Sequence, residues 1–343
     1  MKVAFRVDGS SDIGMGHVIE CLNIAKMLKK KGVHSLFIIK NHPVVLKKIR
    51  QYGYETKVLR DSVDEKGHLE LTMGFLIKNK INLLIINLRD VDENFVKGLK
   101  DEGFTVVCID ELGGKKLHSD IIINGSAVEE WHNYETEAKC YFGASYMVMD
   151  ENFARFNGKN KKFGSKILKI LVTMGGADRT GTTIKIIRAL NRLDKNIKKI
   201  IVVGPAFKHR DGLEKIIPKV KGNNFVFKYD VKSMAGLMYE ADLAISAGGD
   251  TLYQLACAGT PIIALYEDEH EGRQSDTFAK KKIAINLGQG TRISEELIVK
   301  SVSGLLKNLT LRKTMSINGK KLADGLGAKR VSEIIIEKMK QVG

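Results

Sequence analysis

Apolar residues along the first half of the chain form short, mostly apolar runs, and these alternate with segments of helical spacing. The apolar runs are residues 3–7, 33–39, 82–87 and 104–109, with shorter extended segments at 55–59, 121–124 and 141–149. The segments of helical spacing are residues 18–28, 43–52, 69–79 and 95–102. Runs that are apolar at consecutive positions indicate strands buried on both faces, as in a parallel sheet.

The same alternation resumes after residues 157–166, a polar, glycine-containing segment with the composition of a linker. The strands predicted beyond it are residues 167–173, 199–203, 224–227, 242–246 and 261–265. The helices predicted there are residues 182–193, 211–217, 231–239, 251–258, 273–281, 295–307 and 328–341. We therefore expect two Rossmann-like, doubly wound α/β domains, residues 1–160 and 161–343. Because ligands of such sheets bind outside the carboxyl ends of the strands, we expect the site in a cleft that both domains face.

The turn between the first predicted strand and the first predicted helix carries Gly14, Gly16 and His17. Glycine at such a turn lets a ligand approach the backbone closely. His17 falls at the helix N-terminus, where free N–H groups favour an anionic or electron-rich ligand. Histidine is also the side chain whose ordinary pKa is nearest neutrality, so His17 is a candidate acid or base.

Two further glycine turns follow predicted strands in the second domain. They carry Gly175, Gly176 and Asp178 in the one case and Gly248, Gly249, Asp250 and Thr251 in the other. Three such turns at strand ends favour a ligand that carries phosphate. The sequence has no Gly-x-x-x-x-Gly-Lys-Ser/Thr, and Cys21 and Leu22 interrupt any Gly-x-Gly-x-x-Gly at the first turn. A P-loop nucleotidase and a dinucleotide-binding protein are therefore disfavoured.

The net charge of +16 on 343 residues changes the picture little. The basic residues are mostly scattered lysines without interleaved aromatics, so we expect no nucleic-acid partner. Attraction to an anionic substrate, loose attraction to an anionic membrane surface, and a merely lysine-rich exterior remain open. Neither a membrane span nor a signal peptide is indicated, and the four dispersed cysteines suit a cytoplasmic protein.

Several motifs together resemble one family. They are Gly14-Met15-Gly16-His17, Asn124, Gly143-x-x-Tyr146 with Phe153, Gly175-Gly176-x-Asp178, Ser246 to Gln254, Gly259-x-Pro261 and Gln274. The combination is similar to the UDP-sugar hydrolase of pseudaminic acid biosynthesis and its relatives in spore-coat polysaccharide synthesis. These are in turn similar to the glycosyltransferase that forms lipid II. The resemblance covers nearly the whole chain and implies a GT-B-like fold, in which the terminal helix often crosses back to the first domain.

The resemblance also implies roles for individual residues. It makes His17 the catalytic base that activates water, and it makes the second domain the holder of UDP. The implied nucleotide-binding residues are Gly175, Gly176, Asp178, Gly248, Gly249, Asp250, Thr251 and Gln254. The implied or neighbouring residues on the sugar side are Gly14, Gly16, Asn87, Arg89, Asn124, Tyr146 and Gln274.

The chain departs from the family pattern at three places. Asn87-Leu88-Arg89 stands where the family often has Asp-His-Tyr, Gln254 replaces a glutamate expected at the ribose, and Asp150 replaces an arginine. Arg89 is therefore available to pair with a carboxylate or phosphate of a different substrate.

The sequence thus predicts a hydrolase of a nucleotide sugar, expected to be a UDP-activated amino or deoxy sugar. A glycosyltransferase that uses an acceptor hydroxyl in place of water, and a non-catalytic nucleotide-sugar-binding protein, are the alternatives. We expect no cofactor and no metal, because the acidic residues Asp8, Asp12, Asp110 and Glu111 form no clear ligand cluster.

Overall fold

The computed structural model describes residues 1–9, 14–60, 63–109, 112–164, 169–229, 231 and 233–342. The chain divides into two compact units. The first unit comprises Met1–Glu151 with Leu326–Gly343, and the second comprises Asn152–Gly325. The segment expected as a linker, residues 157–166, falls within the second unit as far as it is described.

The first unit alternates strands and helices. Its elements are β1 (Lys2–Val7), α1 (Gly16–Lys30), β2 (His34–Lys40), α2 (Pro43–Gln51), β3 (Glu55–Leu59), α3 (Glu65–Lys78), β4 (Leu83–Asn87), α4 (Glu93–Asp101), β5 (Thr105–Ile109), β6 (Lys115–Lys116), β7 (Ile121–Asn124), β8 (Tyr134–Glu135) and β9 (Lys139–Phe142). Short 3₁₀ helices occupy Glu129–His132 and Ala144–Tyr146.

The main sheet of the first unit has the order β3-β2-β1-β4-β5-β7-β9, and each of its neighbouring pairs is parallel. Strands β1 and β4 lie side by side, with Val7 opposite Asn87 at their carboxyl ends. Since both strands are apolar and buried on both faces, helices cover the sheet on each side. This pairing brings the turn after β1 and the end of β4 to one edge.

The second unit repeats the alternation. Its elements are α5 (Asn152–Asn157), β10 (Lys169–Thr173), α6 (Thr182–Asn191), β11 (Lys198–Val203), α7 (Arg210–Ile216), β12 (Phe225–Tyr229), α8 (Met234–Glu240), β13 (Leu243–Ser246), α9 (Thr251–Cys257), β14 (Ile262–Tyr266), α10 (Glu269–Lys280), β15 (Ala284–Gln289), α11 (Glu295–Lys307) and α12 (Leu309–Leu322). A 3₁₀ helix at Ile217–Val220 follows α7. The remaining helix, α13 (Gly327–Val342), belongs to the first unit.

The sheet of the second unit has the order β12-β11-β10-β13-β14-β15 and is parallel between neighbours. Strands β10 and β13 are adjacent, with Thr173 opposite Ser246 at their carboxyl ends. The two glycine turns that follow these strands therefore start from neighbouring positions on one edge. The predicted α/β class with parallel sheets is confirmed.

Helix α13 packs on α1 and buries Ala328, Val331, Ile335 and Met339 in the core of the first unit. Its first residue must be small, because a Cβ on Gly327 would lie 2.0 Å from the carbonyl oxygen of Met147. No helix in the described part of the chain has the length and apolar character needed to cross a bilayer.

Some predicted elements differ from the structure. The extended segment predicted at 141–149 is wrong beyond Phe142, since β9 ends at that residue and Gly143 turns the chain with a φ of 101°. Strand β15 and helices α5 and α12 were not predicted. Polar residues and a glycine interrupt the apolar pattern in both β15 and α12. In α12 that glycine, Gly319, lets the helix approach Ala256 closely.

Candidate functional site

The turn after β1 is built on glycines that the packing requires. A Cβ on Gly9 would lie 2.9 Å from Cγ2 of Val18 in α1, so only glycine lets the strand exit this close to the helix. Gly14 has a φ of 83°, in the left-handed region that glycine adopts without strain. Gly16 begins α1 and is exposed. Residues 10–13, which complete the turn, lie outside the described residues.

His17 lies in the first turn of α1, and its side chain is 24% exposed. Its Nδ1 lies 2.7 Å from Oδ1 of Asn87, the last residue of β4. The side-chain nitrogen of Asn87 in turn donates to Oε2 of Glu20 over 2.8 Å. Glu20 follows His17 by three residues on α1, and its carboxylate is 4.0 Å from Nδ1 of His17. Hydrogen bonds therefore link the side chains of His17, Asn87 and Glu20 in that order.

Both ends of the Asn87 amide are thus used inside the protein, and the residue is only 1% exposed. Cys21, also buried, is a further neighbour of this amide. Burial and the charge of Glu20 raise the pKa of the Cys21 thiol well above its ordinary value, against the effect of its hydrogen bond with Asn87. The observed role of Asn87 is to connect two α1 side chains, and its contact with a sugar stays a prediction.

The other residues predicted on the sugar side have different surroundings. Arg89 is exposed two residues after β4. Asn124 is fully buried, and its amide nitrogen donates to the carbonyl of Trp131 and the hydroxyl of Tyr134. Tyr146 is half-buried and packs edge-on against Tyr141. The roles of these three residues in sugar binding stay predictions.

In the second unit, the turn after β10 places Gly175 and Gly176 at the surface edge of the sheet. Gly175 has a φ of 73°, and Gly176 is exposed with open space where a Cβ would be. Asp178 is instead buried and accepts from the backbone N–H groups of Thr182 and Thr183 at the start of α6. Burial raises the pKa of Asp178 despite these bonds. Asp178 therefore caps a helix, and the two glycines remain the part of this turn that is open to a ligand.

The turn after β13 is held by residues of α9 and α10. Gln274 donates to the carbonyl oxygen of Gly248 over 2.7 Å and accepts from the hydroxyl of Tyr253 over 3.1 Å. Because Gln274 is only 2% exposed, its observed role is to fasten this turn to α9. The remaining predicted nucleotide-binding residues of the turn, which are partly exposed, are Gly249, Asp250, Thr251 and Gln254.

Glu271, on α10, contacts this turn and was not singled out from the sequence. Its Oε2 accepts from the backbone N–H groups of Gly248, over 3.3 Å, and of Glu267, over 2.9 Å. Burial raises the pKa of Glu271 to about 7, with a further rise from the charges of Asp268 and Glu267. The four acidic residues in 267–271 suggested only a charged loop, and no spacing in them distinguishes the buried one.

Of the four acidic residues considered for metal binding, Asp8 alone lies in the described part of the chain. Among the described residues, no group of three or more histidine, cysteine, aspartate or glutamate side chains could hold a metal ion. Asp12, Asp110 and Glu111 lie outside the described residues. Asp8 is described, and it pairs with Arg6 over 2.6 Å.

An open groove of the second unit lies away from the glycine turns. It is lined by Lys195, Gly222 and Phe225 among others, at the amino end of β12. The glycine turns follow the carboxyl ends of β10 and β13, at the opposite edge of the same parallel sheet. The groove therefore does not include any of the residues that carry the predicted chemistry.

Known proteins resemble this chain over most of its length, although no family model matches it. The spore coat polysaccharide biosynthesis protein SpsG of Bacillus subtilis is 27% identical over 98% of both chains. The UDP-2,4-diacetamido-2,4,6-trideoxy-beta-L-altropyranose hydrolase of Campylobacter jejuni is 28% identical over 72% of this chain and 85% of its own. The resemblance expected from the motifs is confirmed, since homologues include both kinds of protein.

A longer relative combines two named activities. The pseudaminic acid cytidylyltransferase and UDP-2,4-diacetamido-2,4,6-trideoxy-beta-L-altropyranose hydrolase of Helicobacter pylori is 23% identical over 81% of this chain. The match spans 47% of that protein.

Among solved structures, MurG of Acinetobacter baumannii superposes with a TM-score of 0.71 at 14% identity. The superposition covers 98% of this chain and 100% of MurG. At this identity the likeness concerns the fold, and it confirms the expected GT-B-like α/β fold.

Proposed function

We propose that this chain is a nucleotide-sugar hydrolase that releases UDP from a UDP-activated acetamido or deoxy sugar. The observation that carries the proposal is the position of His17: a partly exposed imidazole at the carboxyl edge of a parallel sheet, fixed through Nδ1 by a buried amide. The homologous hydrolase of Campylobacter jejuni, named for a diacetamido trideoxy sugar, supports the substrate class. The relation to SpsG supports a role in surface polysaccharide or nonulosonic acid synthesis.

In the proposed reaction, the oxygen of water attacks the anomeric carbon of the sugar. The bond between that carbon and the oxygen of the β-phosphate breaks, and its electron pair leaves with UDP. A proton of the attacking water passes to Nε2 of His17, which acts as general base. A base contributes here because neutral water is a weak nucleophile, whereas UDP is a good leaving group.

For the second unit we propose the role of holding the nucleotide diphosphate. The exposed Gly176 and the partly exposed Gly249 offer backbone N–H groups at one edge of the sheet. Since a glycine carries no side chain, oxygen atoms of a phosphate approach such groups closely. The net charge of +16 favours encounter with a dianionic substrate. We place the reaction in the cytoplasm, in keeping with the four free thiols.

The proposal is tested with a panel of UDP-, GDP-, CDP- and CMP-sugars, without any acceptor, by following the released nucleotide. We expect turnover of UDP sugars, fastest with acetamido deoxy sugars. Release that begins only after a sugar or lipid acceptor is added would identify a glycosyltransferase and overturn the hydrolase. Tight binding of UDP sugars without turnover under either condition would identify a binding protein instead.

A further inference from the structure

Glu20 is a carboxylate in an unusual place for the first helix. It belongs to the buried residues of α1 and is 5% exposed. A buried carboxylate is costly unless hydrogen bonds compensate for its lost hydration. The side-chain amide of Asn87 supplies one such bond over 2.8 Å. Glu20 is thus held in the interior by the same amide that contacts His17.

The carboxylate fixes the direction of every hydrogen bond in this chain of side chains. An ionised carboxylate only accepts, so the amide nitrogen of Asn87 must face Glu20. The amide oxygen of Asn87 then faces His17, and a carbonyl oxygen also only accepts. Nδ1 of His17, 2.7 Å away, must therefore be the donor.

We propose that Glu20 and Asn87 are positioning residues that hold His17 as the Nδ1–H tautomer, with the lone pair on Nε2. This is the form in which Nε2 accepts a proton from water. After that transfer Nδ1 still donates to Asn87, so the network does not rearrange during the reaction. The catalytic part of this inference rests on the proposed function, whereas the tautomer of His17 does not.

The neutral amide also separates His17 from the full charge of Glu20. The carboxylate oxygen is 4.0 Å from Nδ1, whereas the amide oxygen is in direct contact. The Cys21 thiol, which is fully buried, also hydrogen-bonds this amide. The imidazole of His17 is therefore oriented by the neutral amide oxygen of Asn87, and that amide is in turn oriented by the carboxylate of Glu20.

The tautomer is measured directly by long-range ¹H–¹⁵N correlation of histidine-labelled protein, at a pH where the imidazole is neutral. His17→Ala identifies the signals of His17. For the wild type we expect the proton on Nδ1 and the lone pair on Nε2. A proton found on Nε2 in the wild type would overturn the inference.

Variants that exchange the amide of Asn87 and the carboxylate of Glu20 test what sets the direction of these hydrogen bonds. Asn87→Asp keeps an oxygen acceptor against Nδ1, so we expect the Nδ1–H pattern to survive this change. Glu20→Gln combined with Asn87→Asp sets an amide donor against a carboxylate, so the double variant should also show the wild-type pattern. Glu20→Gln alone removes the fixed direction and should give a mixture of tautomers. If Asn87→Asp fails to fold, the double variant and Glu20→Gln still decide, because a wild-type pattern in Glu20→Gln would contradict the role of the charge.

The same variants separate positioning from packing in the reaction itself. With the UDP sugar that the wild type hydrolyses, we expect kcat of Glu20→Gln to fall by about two- to tenfold, in proportion to the fraction of His17 that leaves the productive tautomer. KM should change little, and the double variant should regain most of kcat. If the double variant recovers the wild-type tautomer but loses as much kcat as Glu20→Gln, the tautomer of His17 has no consequence for catalysis. If the wild type hydrolyses no nucleotide sugar, the proposed function fails while the tautomer measurement stands.

Discussion

A Cβ atom on Gly248 would lie 2.6 Å from the carbonyl oxygen of Glu271. It would also lie 2.7 Å from Oγ of Ser275, so helix α10 packs directly against the turn after β13. Neither the backbone of Glu271 nor the buried Ser275 can move away without displacing α10. We expect Gly248→Ala to lower the free energy of unfolding by about 1–3 kcal/mol, as overpacking does.

Urea unfolding measures this loss. Gly249→Ala is the matched control, because its new Cβ meets only the flexible end of the Glu271 side chain at 3.3 Å. Equal stability of Gly248→Ala and the wild type would show that the turn and α10 are not packed as described.

Substitution of Gly176 tests contact with a ligand without disturbing the packing of the protein. It is exposed, its φ is not in the left-handed region, and nothing lies within 4 Å of the place where a Cβ would be. We therefore expect Gly176→Ala to unfold at the same urea concentration as the wild type. If a diphosphate approaches this backbone, the added methyl group should weaken UDP binding about tenfold or more in calorimetry. Unchanged affinity would remove Gly176 from the nucleotide site.

The raised pKa of Glu271 predicts a pH-dependent stability. The ordinary pKa is 4.5 and the folded-state pKa is about 7, so the folded protein binds a proton that the unfolded chain releases in between. The contribution of the protonated group to stability is fully present below pH 4.5 and is lost as the pH rises through 7. Glu271→Gln keeps an oxygen that accepts from Gly248 and does not titrate.

The free energies of unfolding of Glu271→Gln and the wild type should therefore diverge between pH 4.5 and 7 and then stay apart. The variant should gain about 1–3 kcal/mol relative to the wild type at pH 8. A difference that is constant from pH 4 to pH 9 would contradict the burial of a titrating carboxylate at this turn.

Two glycines of the first unit should respond to alanine in opposite directions. In Gly327→Ala the new Cβ would meet the carbonyl oxygen of Met147 at 2.0 Å, so α13 must shift and the core beneath it loosens. Gly74 is an exposed glycine inside α3 with open space around it. Gly74→Ala should therefore stabilise the protein by about 0.5–1 kcal/mol through helix propensity. Urea unfolding of both variants measures the two changes in stability. A Gly327→Ala variant as stable as the wild type would show that α13 does not pack against Met147 as described.

Much of the fold follows from the hydrophobic pattern, because a parallel sheet buried on both faces requires unbroken apolar strands. Strand β4, Leu83–Asn87, is such a case and was predicted within one residue. Strand β15 was missed because Asn286 and Gly288 interrupt it at the edge of its sheet, where one side needs no partner. The prediction of one extended segment at 141–149 failed because Gly143 turns the chain.

For the candidate site, sequence reasoning reached His17 but not the residue that completes its network. Glu20 was passed over because a glutamate on an amphipathic helix is ordinarily on the solvated face. Its spacing of three residues from His17 places both on one side of α1, and that spacing is the signal that was available. The link through Asn87 could not be read from the sequence, since it depends on β1 and β4 being neighbours in the sheet.

The central claim is that His17 activates water for attack on the anomeric carbon of a UDP sugar. The most direct test is hydrolysis in ¹⁸O water by the wild type and His17→Ala, with His34→Ala as control because His34 is exposed at the amino end of β2. The account predicts that ¹⁸O enters the free sugar and that His34→Ala retains full activity. It also predicts that His17→Ala binds UDP normally but loses turnover by about 10²–10⁴-fold. Label in the released UDP, or full activity of His17→Ala, would contradict it.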